Sequence, residues 1–375
     1  MSKLGLEDVK VDGIYEATLW PNAEEGSRFA LRGTHLDDRR TPKVVLSKDP
    51  RIVAGIPCRV RVCEITKPDR PDHGYIRVEY AGPAPFKLEG IYVDPIVARK
   101  LQVLLESGLN ILLDGPQGCG KTTLARSIAQ TLGMRFVFFN CGAVVEATDF
   151  FATIQVRAGE SGQPVTSFVK TEVLEALEQA AGHPEQRTLV FLDELNRCQE
   201  SARNALMPAL DATRRVFHPV ENRFLEIPDN VQFVAAVNRG AEFSGTFGID
   251  AAQLDRFAPL QMTYLPREEE VKLLRRRHSE LGQELVEQIV AIAHAIRNAP
   301  ELEAGLSVRA TEEVCIYLKH PLMQGEQRRM LPEVLKSSFC GRYNGRWDDS
   351  TTDAGAVWAL VQRELMDGKS GSPSH

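Results

Sequence analysis

The chain has 375 residues, of which 43% are hydrophobic and 26% charged, and its formal net charge at pH 7 is −6. This length exceeds the usual size of one domain, and this composition excludes a disordered or fibrous chain. The net negative charge disfavours a protein whose main partner is nucleic acid, although it leaves a local basic face open.

The N-terminus and the cysteines indicate the compartment. The sequence MSKLGLEDVKVDG has charges where a signal peptide needs an apolar run. No stretch approaches the roughly 20 apolar residues of a membrane-spanning helix. The seven cysteines form no CxxC pair and no Cys/His cluster at zinc spacing. We therefore expect a cytoplasmic protein with no membrane span and with reduced, mostly buried thiols.

Residues 1–85 are predicted to form a small β-rich barrel or sandwich that recruits or docks a partner. The runs GIYEATLW, FALRG, PKVVLS, CRVRVCEI and GYIRVEY are separated by turn residues. The region has 14 Lys and Arg against 13 Asp and Glu, so no strongly basic surface is indicated. Four aromatic residues in this region have two alternative roles. On an open barrel they would stack nucleic-acid bases, but aromatic residues more often fill a core. These residues are Trp20, Phe29, Tyr75 and Tyr80. The segment AGPAPFKLEG indicates a linker.

Residues 86–265 alternate between strand-like and helix-like stretches. The buried-strand candidates are LNILLDG, RFVFFNC, TLVFLDE and VQFVAAVN. Helical patterns lie between them, at 94–107, 121–132, 170–181 and 199–211. This alternation predicts an α/β fold in which helices cover both faces of a parallel sheet.

Residues 266–368 contain helical patterns and no strand candidate. In PREEEVKLLRRRHSEL, proline stands at the predicted first helical position, three glutamates follow in the first turn, and three arginines lie near the far end. The RRRH run is therefore predicted to be a solvated helix face rather than a nucleic-acid patch. Residues 369–375 are predicted to be a disordered tail.

A glycine-rich turn between an apolar strand and a helical pattern predicts a nucleotide site. Residues 115–122 satisfy G-x-x-x-x-G-K-[ST], the phosphate-loop motif. Glycines allow successive backbone N–H groups to point at phosphate oxygens, and the helix N-terminus adds a positive dipole. Lys121 would reach the β- and γ-phosphates, and Thr122 would offer a hydroxyl to Mg²⁺. The predicted nucleotide-binding residues are Gly115, Pro116, Gln117, Gly118, Cys119, Gly120, Lys121, Thr122 and Thr123.

A second motif, which contains two acidic residues, indicates whether the bound nucleotide is hydrolysed. The apolar run TLVFL leads into Asp193 and Glu194 at the predicted C-terminal end of a strand. We expect Asp193 to hold hydrated Mg²⁺ together with Thr122, and Glu194 to polarise the attacking water. The alternative is that the two acids only end a strand.

Several longer segments resemble the AAA+ ATPases of the MoxR type, including the CbbQ/NorQ-like proteins, and more distantly the magnesium-chelatase ATPase subunit. FLDELNRCQESARNALMPALD looks like their extended acidic motif, and RRVFHPVENRFLEIPDN looks like a hairpin inserted before the next strand. FFATIQVRAGESGQPVTSFVKTEVLEALEQA is similar to the helix-2 insertion of this branch. The resemblance covers about residues 88–320. It implies a P-loop AAA+ core, a C-terminal helical lid and hairpins that project towards the pore of a ring.

The resemblance also implies roles for a polar residue and two arginines. Asn238 in VQFVAAVNRG matches the polar sensor that positions water, although an asparagine can simply close a strand into a turn. Arg256 in AAQLDRF matches the arginine finger that acts on a neighbouring subunit, although a local ion pair is the alternative. Arg309 in GLSVRATEEV matches the second sensor. Arg197 and Arg203 are further candidates for intersubunit contacts.

The implied function is Mg²⁺-dependent ATP hydrolysis by a homo-oligomeric ring, most simply a hexamer, that remodels, activates or assembles a protein client. A von Willebrand factor A domain protein is the partner that the resemblance suggests. ATP rather than GTP follows only from the resemblance. The alternative function is a nucleotide-gated nucleic-acid-binding component of a defence or restriction-type system, in which the β-rich domain grips DNA or RNA.

Overall fold

The computed structural model of the chain describes residues 9–22, 26–31, 44–47, 49, 51–53, 56–66, 75–84, 86–88, 90–158, 163–184, 186–238, 248–302 and 305–370. The chain divides into two compact units. The first draws on Met1–Leu113, Thr122–Val237 and Thr246–Leu260, and the second on Asp114–Lys121, Asn238–Gly245 and Gln261–His375. The domain boundaries expected from the sequence, at residues 85, 265 and 368, remain predictions.

The first unit begins with a five-stranded sheet, in which every strand lies where the sequence predicted one. The strands are β1 (Ile14–Asn22), β2 (Gly26–Leu31), β3 (Val44–Leu46), β4 (Pro57–Thr66) and β5 (Tyr75–Pro83). Their order is β2-β1-β4-β5-β3, and the edge strands β2 and β3 lie in contact, as in a sheet that curls towards a barrel. Tyr80 packs against the core of this sheet. The side chains of Trp20, Phe29 and Tyr75 lie outside the described part of the chain.

The α/β part of the first unit is built on a five-stranded parallel sheet. Its strands are β6 (Ile111–Asp114), β7 (Arg135–Asn140), β10 (Thr188–Asp193), β13 (Val231–Val237) and β14 (Ala258–Gln261). Their spatial order is β14-β6-β13-β10-β7, so the chain changes direction across the sheet between the neighbours β6 and β13. Ligands of open parallel sheets bind beyond the carboxyl ends of the strands at such a switch point. All seven residues of β13 are buried, as expected for a central strand covered on both faces.

Helices accompany this sheet at each of the four positions where the sequence predicted a helical pattern. The first three are α1 (Pro95–Glu106), α2 (Lys121–Thr131) and α3 (Glu172–Gly182). The helical pattern over 199–211 corresponds to chain that is helical from Glu200 to Leu210 but not α-helical throughout. The chain there forms α4 (Glu200–Arg203), a 3₁₀ turn and then α5 (Met207–Leu210). Pro208 lies in the first turn of α5, where its missing N–H is tolerated, whereas inside a longer helix it would remove a hydrogen bond.

Two antiparallel hairpins interrupt the α/β order, at the two segments that the sequence identified as insertions. The first joins β8 (Ala152–Ala158) to β9 (Pro164–Lys170), and the second joins β11 (Arg215–His218) to β12 (Arg223–Glu226). Each carries a cross-strand pair of exposed apolar side chains. These pairs are Ile154 with Phe168 and Phe217 with Phe224.

The second unit is helical beyond its first segments. Its helices are α7 (Arg267–Arg277), α8 (Gln283–Arg297), α9 (Val308–Lys319), α10 (Gln327–Leu335) and α11 (Asp353–Ser370). Pro266 is the N-cap of α7 rather than its first helical residue, while the predicted acidic first turn and basic last turn are both present. Residues 371–375 of the predicted tail lie outside the described residues. Among the described helices, none combines the length and apolar character that a membrane span requires.

Candidate functional site

The phosphate loop contains three glycines, two of which have a left-handed backbone conformation and two of which have close neighbours. Gly118 and Gly120 have φ angles of +74° and +99°, in the region that favours glycine. A Cβ on Gly118 would also come within 2.4 Å of Ser307 Cβ, and a Cβ on Gly115 within 2.5 Å of the Met262 carbonyl oxygen. The loop is therefore held in one curled shape by both conformation and close neighbours.

The ammonium group of Lys121 lies inside this loop. Its Nζ donates to the carbonyl oxygens of Gly115 at 2.8 Å and Pro116 at 2.9 Å, and to Asn238 Oδ1 at 2.7 Å. Only 7% of Lys121 is exposed. Asn238 follows β13 directly, so the structure brings together a phosphate-loop lysine and the predicted sensor, which are 117 residues apart in the sequence.

The remaining loop residues present backbone rather than reactive side chains. Gln117 and Thr123 are exposed, Pro116 is half-buried, and the Cys119 side chain is buried. Burial raises the pKa of the Cys119 thiol, and the nearby Lys121 lowers it by less. A protonated thiol is a poor nucleophile, so this cysteine has the character of a packing residue.

Thr122, Asp193 and Glu194 come together at the ends of α2 and β10 in the first unit. The Thr122 hydroxyl lies 3.3 Å from Asp193 Oδ2, and the backbone N–H of Glu194 donates to Asp193 Oδ1 at 3.1 Å. A hydroxyl next to a carboxylate is the oxygen donor set that Mg²⁺ prefers. These two side chains therefore fit the ion that the sequence implies.

Glu194 adopts a strained backbone conformation. Its φ of 54° and ψ of 43° place a non-glycine residue in the left-handed region, which costs about 1–3 kcal/mol and is concentrated at functional sites. Its Oε2 lies 3.3 Å from Nη1 of Arg197, which makes a local ion pair. Arg197 was a candidate for intersubunit contact, and this pair gives it a partner within its own chain.

Arg256 is loosely held at the end of α6 (Ala251–Leu254). Its Nη1 donates to the Ala252 carbonyl at 2.5 Å, and its Nη2 lies 3.9 Å from Asp211 Oδ2. Its Nε is buried and has no hydrogen-bond partner among the described residues. Within that part of the chain, the carboxylate paired with this arginine is Asp211, at the limit of an ion-pair distance.

The other two arginines differ sharply in exposure. Arg309 is exposed in the first turn of α9. Arg203 is 0% exposed, and its guanidinium donates to the carbonyl oxygens of Cys198 and Gly248 and to the Gln253 side chain. The prediction that Arg203 contacts a neighbouring subunit was wrong, because the side chain is enclosed within the first unit.

A buried polar cluster behind the hairpins was not found from the sequence. His218 is fully buried, its Nε2 is 2.9 Å from Glu178 Oε1, and Lys170 bonds the same carboxylate at 2.7 Å. Burial by itself raises the pKa of Glu178, but the hydrogen bonds from Lys170 and His218 outweigh it and leave the pKa low. His218 Nδ1 accepts from the Glu221 N–H, so Nε2 carries the proton and is not available to a metal ion. The cluster joins β9, α3 and the second hairpin as a structural contact.

Comparison with known proteins identifies the family. A family model described as "AAA domain (dynein-related subfamily)" matches residues 110–257. The chain is 30% identical over 204 residues to the putative chaperone BssE of Thauera aromatica, across 54% of this chain and 67% of that protein. An uncharacterized protein of Staphylococcus aureus (strain USA300) is 24% identical over 226 residues, across 59% of this chain and 82% of that protein.

Solved structures give weaker matches. The Thermotoga maritima RuvB Holliday junction branch migration motor is 17% identical with a TM-score of 0.40, across 73% of this chain and 87% of that one. A mutant form of the same RuvB protein is 18% identical with a TM-score of 0.43, across 67% of this chain and 72% of that one.

The likeness to the putative chaperone extends well beyond a shared phosphate loop, since it takes in 204 residues at 30% identity. The matched AAA domain begins just before β6 and ends just after Arg256, so it contains the phosphate loop, the acidic strand end and Asn238. A nucleotide-binding function follows from this membership. The chain belongs to the AAA+ ATPases.

Proposed function

We propose that this protein binds ATP together with Mg²⁺ and hydrolyses it. The observation that carries the proposal is the hydrogen bond between Lys121 Nζ and Asn238 Oδ1. It joins the cation of the phosphate loop to a polar side chain at the end of another strand, and an ordinary glycine turn has no need of such a contact.

Each site residue then has a role in the reaction. The phosphate-loop N–H groups and Lys121 bind the β- and γ-phosphates, and Thr122 and Asp193 hold the metal ion. Bound Mg²⁺ would neutralise charge on the phosphate oxygens. Glu194 accepts a hydrogen bond from the attacking water, and Asn238 helps to orient that water. Lys121 exchanges its carbonyl partners for phosphate oxygens, which are stronger acceptors because they are charged.

We further propose that the active enzyme is a ring, in which Arg256 and Arg309 act on the nucleotide of a neighbouring subunit. Two observations support this proposal. Arg309 is exposed, and the ion pair of Arg256 with Asp211 is long at 3.9 Å, so Nη2 of Arg256 is easily transferred from Asp211 to phosphate. Three parts of this proposal rest on the sequence resemblance: the ring size of six, the assignment to the MoxR type and the choice of ATP rather than GTP as the nucleotide.

The work of the ring is proposed to be remodelling or assembly of a protein client in the cytoplasm, with a von Willebrand factor A domain protein as partner. The exposed apolar pairs on the two hairpins support it, because exposed apolar surface marks protein contact sites. A relative described as a putative chaperone points the same way. The β-rich residues 1–85 are proposed to recruit the client, residues 86–265 to bind nucleotide, and residues 266–368 to form the lid.

Two experiments test these proposals in order. Hydrolysis of ATP by the purified protein, with and without Mg²⁺ and across the concentration range of assembly, tests the chemistry; absence of turnover in every assembled form would overturn it. Glu194→Gln should then hold ATP without turnover and retain bound partner in an affinity capture, with Lys121→Ala as the control that binds no nucleotide. If the affinity capture recovers DNA and no partner protein, and if DNA binding weakens steeply as salt rises, the result would favour the nucleic-acid alternative.

A further inference from the structure

The second unit encloses a carboxylate that the proposed chemistry does not use. Glu270 in α7 is 0% exposed and accepts hydrogen bonds from Arg297 Nη1 at 2.5 Å, Thr311 Oγ1 at 2.7 Å and His294 Nε2 at 3.1 Å. Burial by itself raises its pKa, but the bonds from Arg297 outweigh burial and keep the pKa below its ordinary value. An ionised buried carboxylate that is fully bonded fixes the geometry of its partners, here α7, α8 and the first turn of α9.

Arg297 extends this contact towards the phosphate loop. Its Nε donates to the Leu306 carbonyl at 2.5 Å, and its guanidinium stacks over the Tyr264 ring at 4.7 Å. Glu270 thus orients the guanidinium, and the guanidinium holds the phenol ring in place.

The Tyr264 hydroxyl is shared between two carbonyl groups. It lies 3.0 Å from the carbonyl oxygen of Gly305, ahead of α9, and 3.3 Å from that of Gln117 in the phosphate loop. A phenol has one proton and can donate it to one carbonyl at a time. A change in the position of the phosphate loop therefore changes how firmly Tyr264 holds the segment before α9.

That segment is packed too closely to move independently of the loop. A Cβ on Gly305 would come within 2.7 Å of the Tyr264 ring, and Ser307 fills the space beside Gly118. Arg309 follows Ser307 by two residues, in the first turn of α9.

We propose that Tyr264 is a positioning residue that couples the phosphate loop to Arg309, with the buried Glu270–Arg297 pair holding its ring. Binding of nucleotide to the loop sets the position of the segment before α9, and through it the direction in which Arg309 points. This inference rests on the proposed ATP hydrolysis and adds the residue that links the nucleotide site of one subunit to the arginine that it offers to its neighbour.

The test is Tyr264→Phe, which removes only the hydroxyl, beside Tyr317→Phe, the same change at an exposed position of α9. One hydrogen bond is worth about 0.5–1.5 kcal/mol, so we expect kcat to fall about 2- to 10-fold, with nucleotide Kd changed by less and melting temperature close to that of the control. The kinetics of Arg309→Ala and of the double variant Tyr264→Phe/Arg309→Ala complete a double-mutant cycle.

Coupling through Arg309 makes a specific prediction for that cycle: the double variant is no slower than Arg309→Ala alone. Losses that multiply, or a Tyr264→Phe enzyme as fast as the Tyr317→Phe control, would overturn the inference. Because both outcomes are read against an active wild-type enzyme, they are distinguishable from failure of the proposed ATPase function, in which the wild type itself shows no turnover.

Discussion

The loss of turnover in Arg256→Ala distinguishes two roles for this side chain. An arginine finger would cause a large loss, and a local ion pair a small one. As a structural group, Arg256 contributes one ion pair with Asp211 at 3.9 Å and one bond to the Ala252 carbonyl. Partly exposed pairs are worth about 0–1 kcal/mol, so loss of the ion pair alone would lower stability slightly. As a finger, the same guanidinium would contribute about 10³- to 10⁵-fold in turnover, or roughly 4–7 kcal/mol of barrier.

The assay measures steady-state ATP hydrolysis, nucleotide Kd and melting temperature for Arg256→Ala and for the control Arg328→Ala. Arg328 forms an exposed ion pair with Glu284 and has no role in the proposed site. We expect turnover to collapse only in the first variant, with nucleotide binding retained in both. Mixing Arg256→Ala with Lys121→Ala protomers should restore part of the activity at interfaces that combine an intact loop with an intact finger. Turnover of Arg256→Ala within about tenfold of the wild type, or full activity in dilute monomer, would refute the reasoning.

Three further outcomes are expected. Lys121→Ala should abolish nucleotide binding, measured with a fluorescent nucleotide, whereas Asn238→Ala should keep binding and lower kcat; equal loss of binding in both would contradict the separate roles. Asp193→Asn should raise the Mg²⁺ concentration needed for half-maximal turnover by about tenfold or more, and an unchanged requirement would remove Asp193 from the metal site. The pKa of Glu270 is lowered from 4.5 on folding, so as pH falls the unfolded chain takes up this proton first. Its contribution to stability is complete above pH 4.5 and is lost below it. Glu270→Gln should therefore flatten the acid limb of a plot of melting temperature against pH, and an unaltered limb would contradict this assignment.

The elements that could be predicted from the sequence are those that local pattern determines. The five strands of the N-terminal sheet follow from short β-prone runs between turns, and the phosphate loop follows from glycine spacing ahead of a lysine. The helical segment over 199–211 was also predicted from local pattern, and Pro208 lies in the first turn of its last α-helical part.

The features that escaped prediction are buried polar groups whose partners are distant in sequence. Arg203 bonds to Gln253, 50 residues away, and His218 bonds to Glu178, 40 residues away. A charged residue in a single sequence is most simply interpreted as solvated, since burial depends on which segments pack around it. Arg203 was therefore assigned to an intersubunit surface, and the contact of His218 with Glu178 was not predicted.

Three charged side chains proposed to act in the reaction each have a protein partner of their own. Lys121 bonds to Asn238, Glu194 pairs with Arg197, and Arg256 pairs with Asp211. The proposed reaction requires Lys121 and Arg256 to exchange protein partners for phosphate oxygens, and the two exchanges have different triggers. Lys121 leaves neutral acceptors for charged phosphate oxygens, which is favourable without help. In the proposed ring, Arg256 leaves its weak pair with Asp211 when a neighbouring subunit presents its nucleotide. Assembly rather than nucleotide binding is therefore the step that we expect to control turnover.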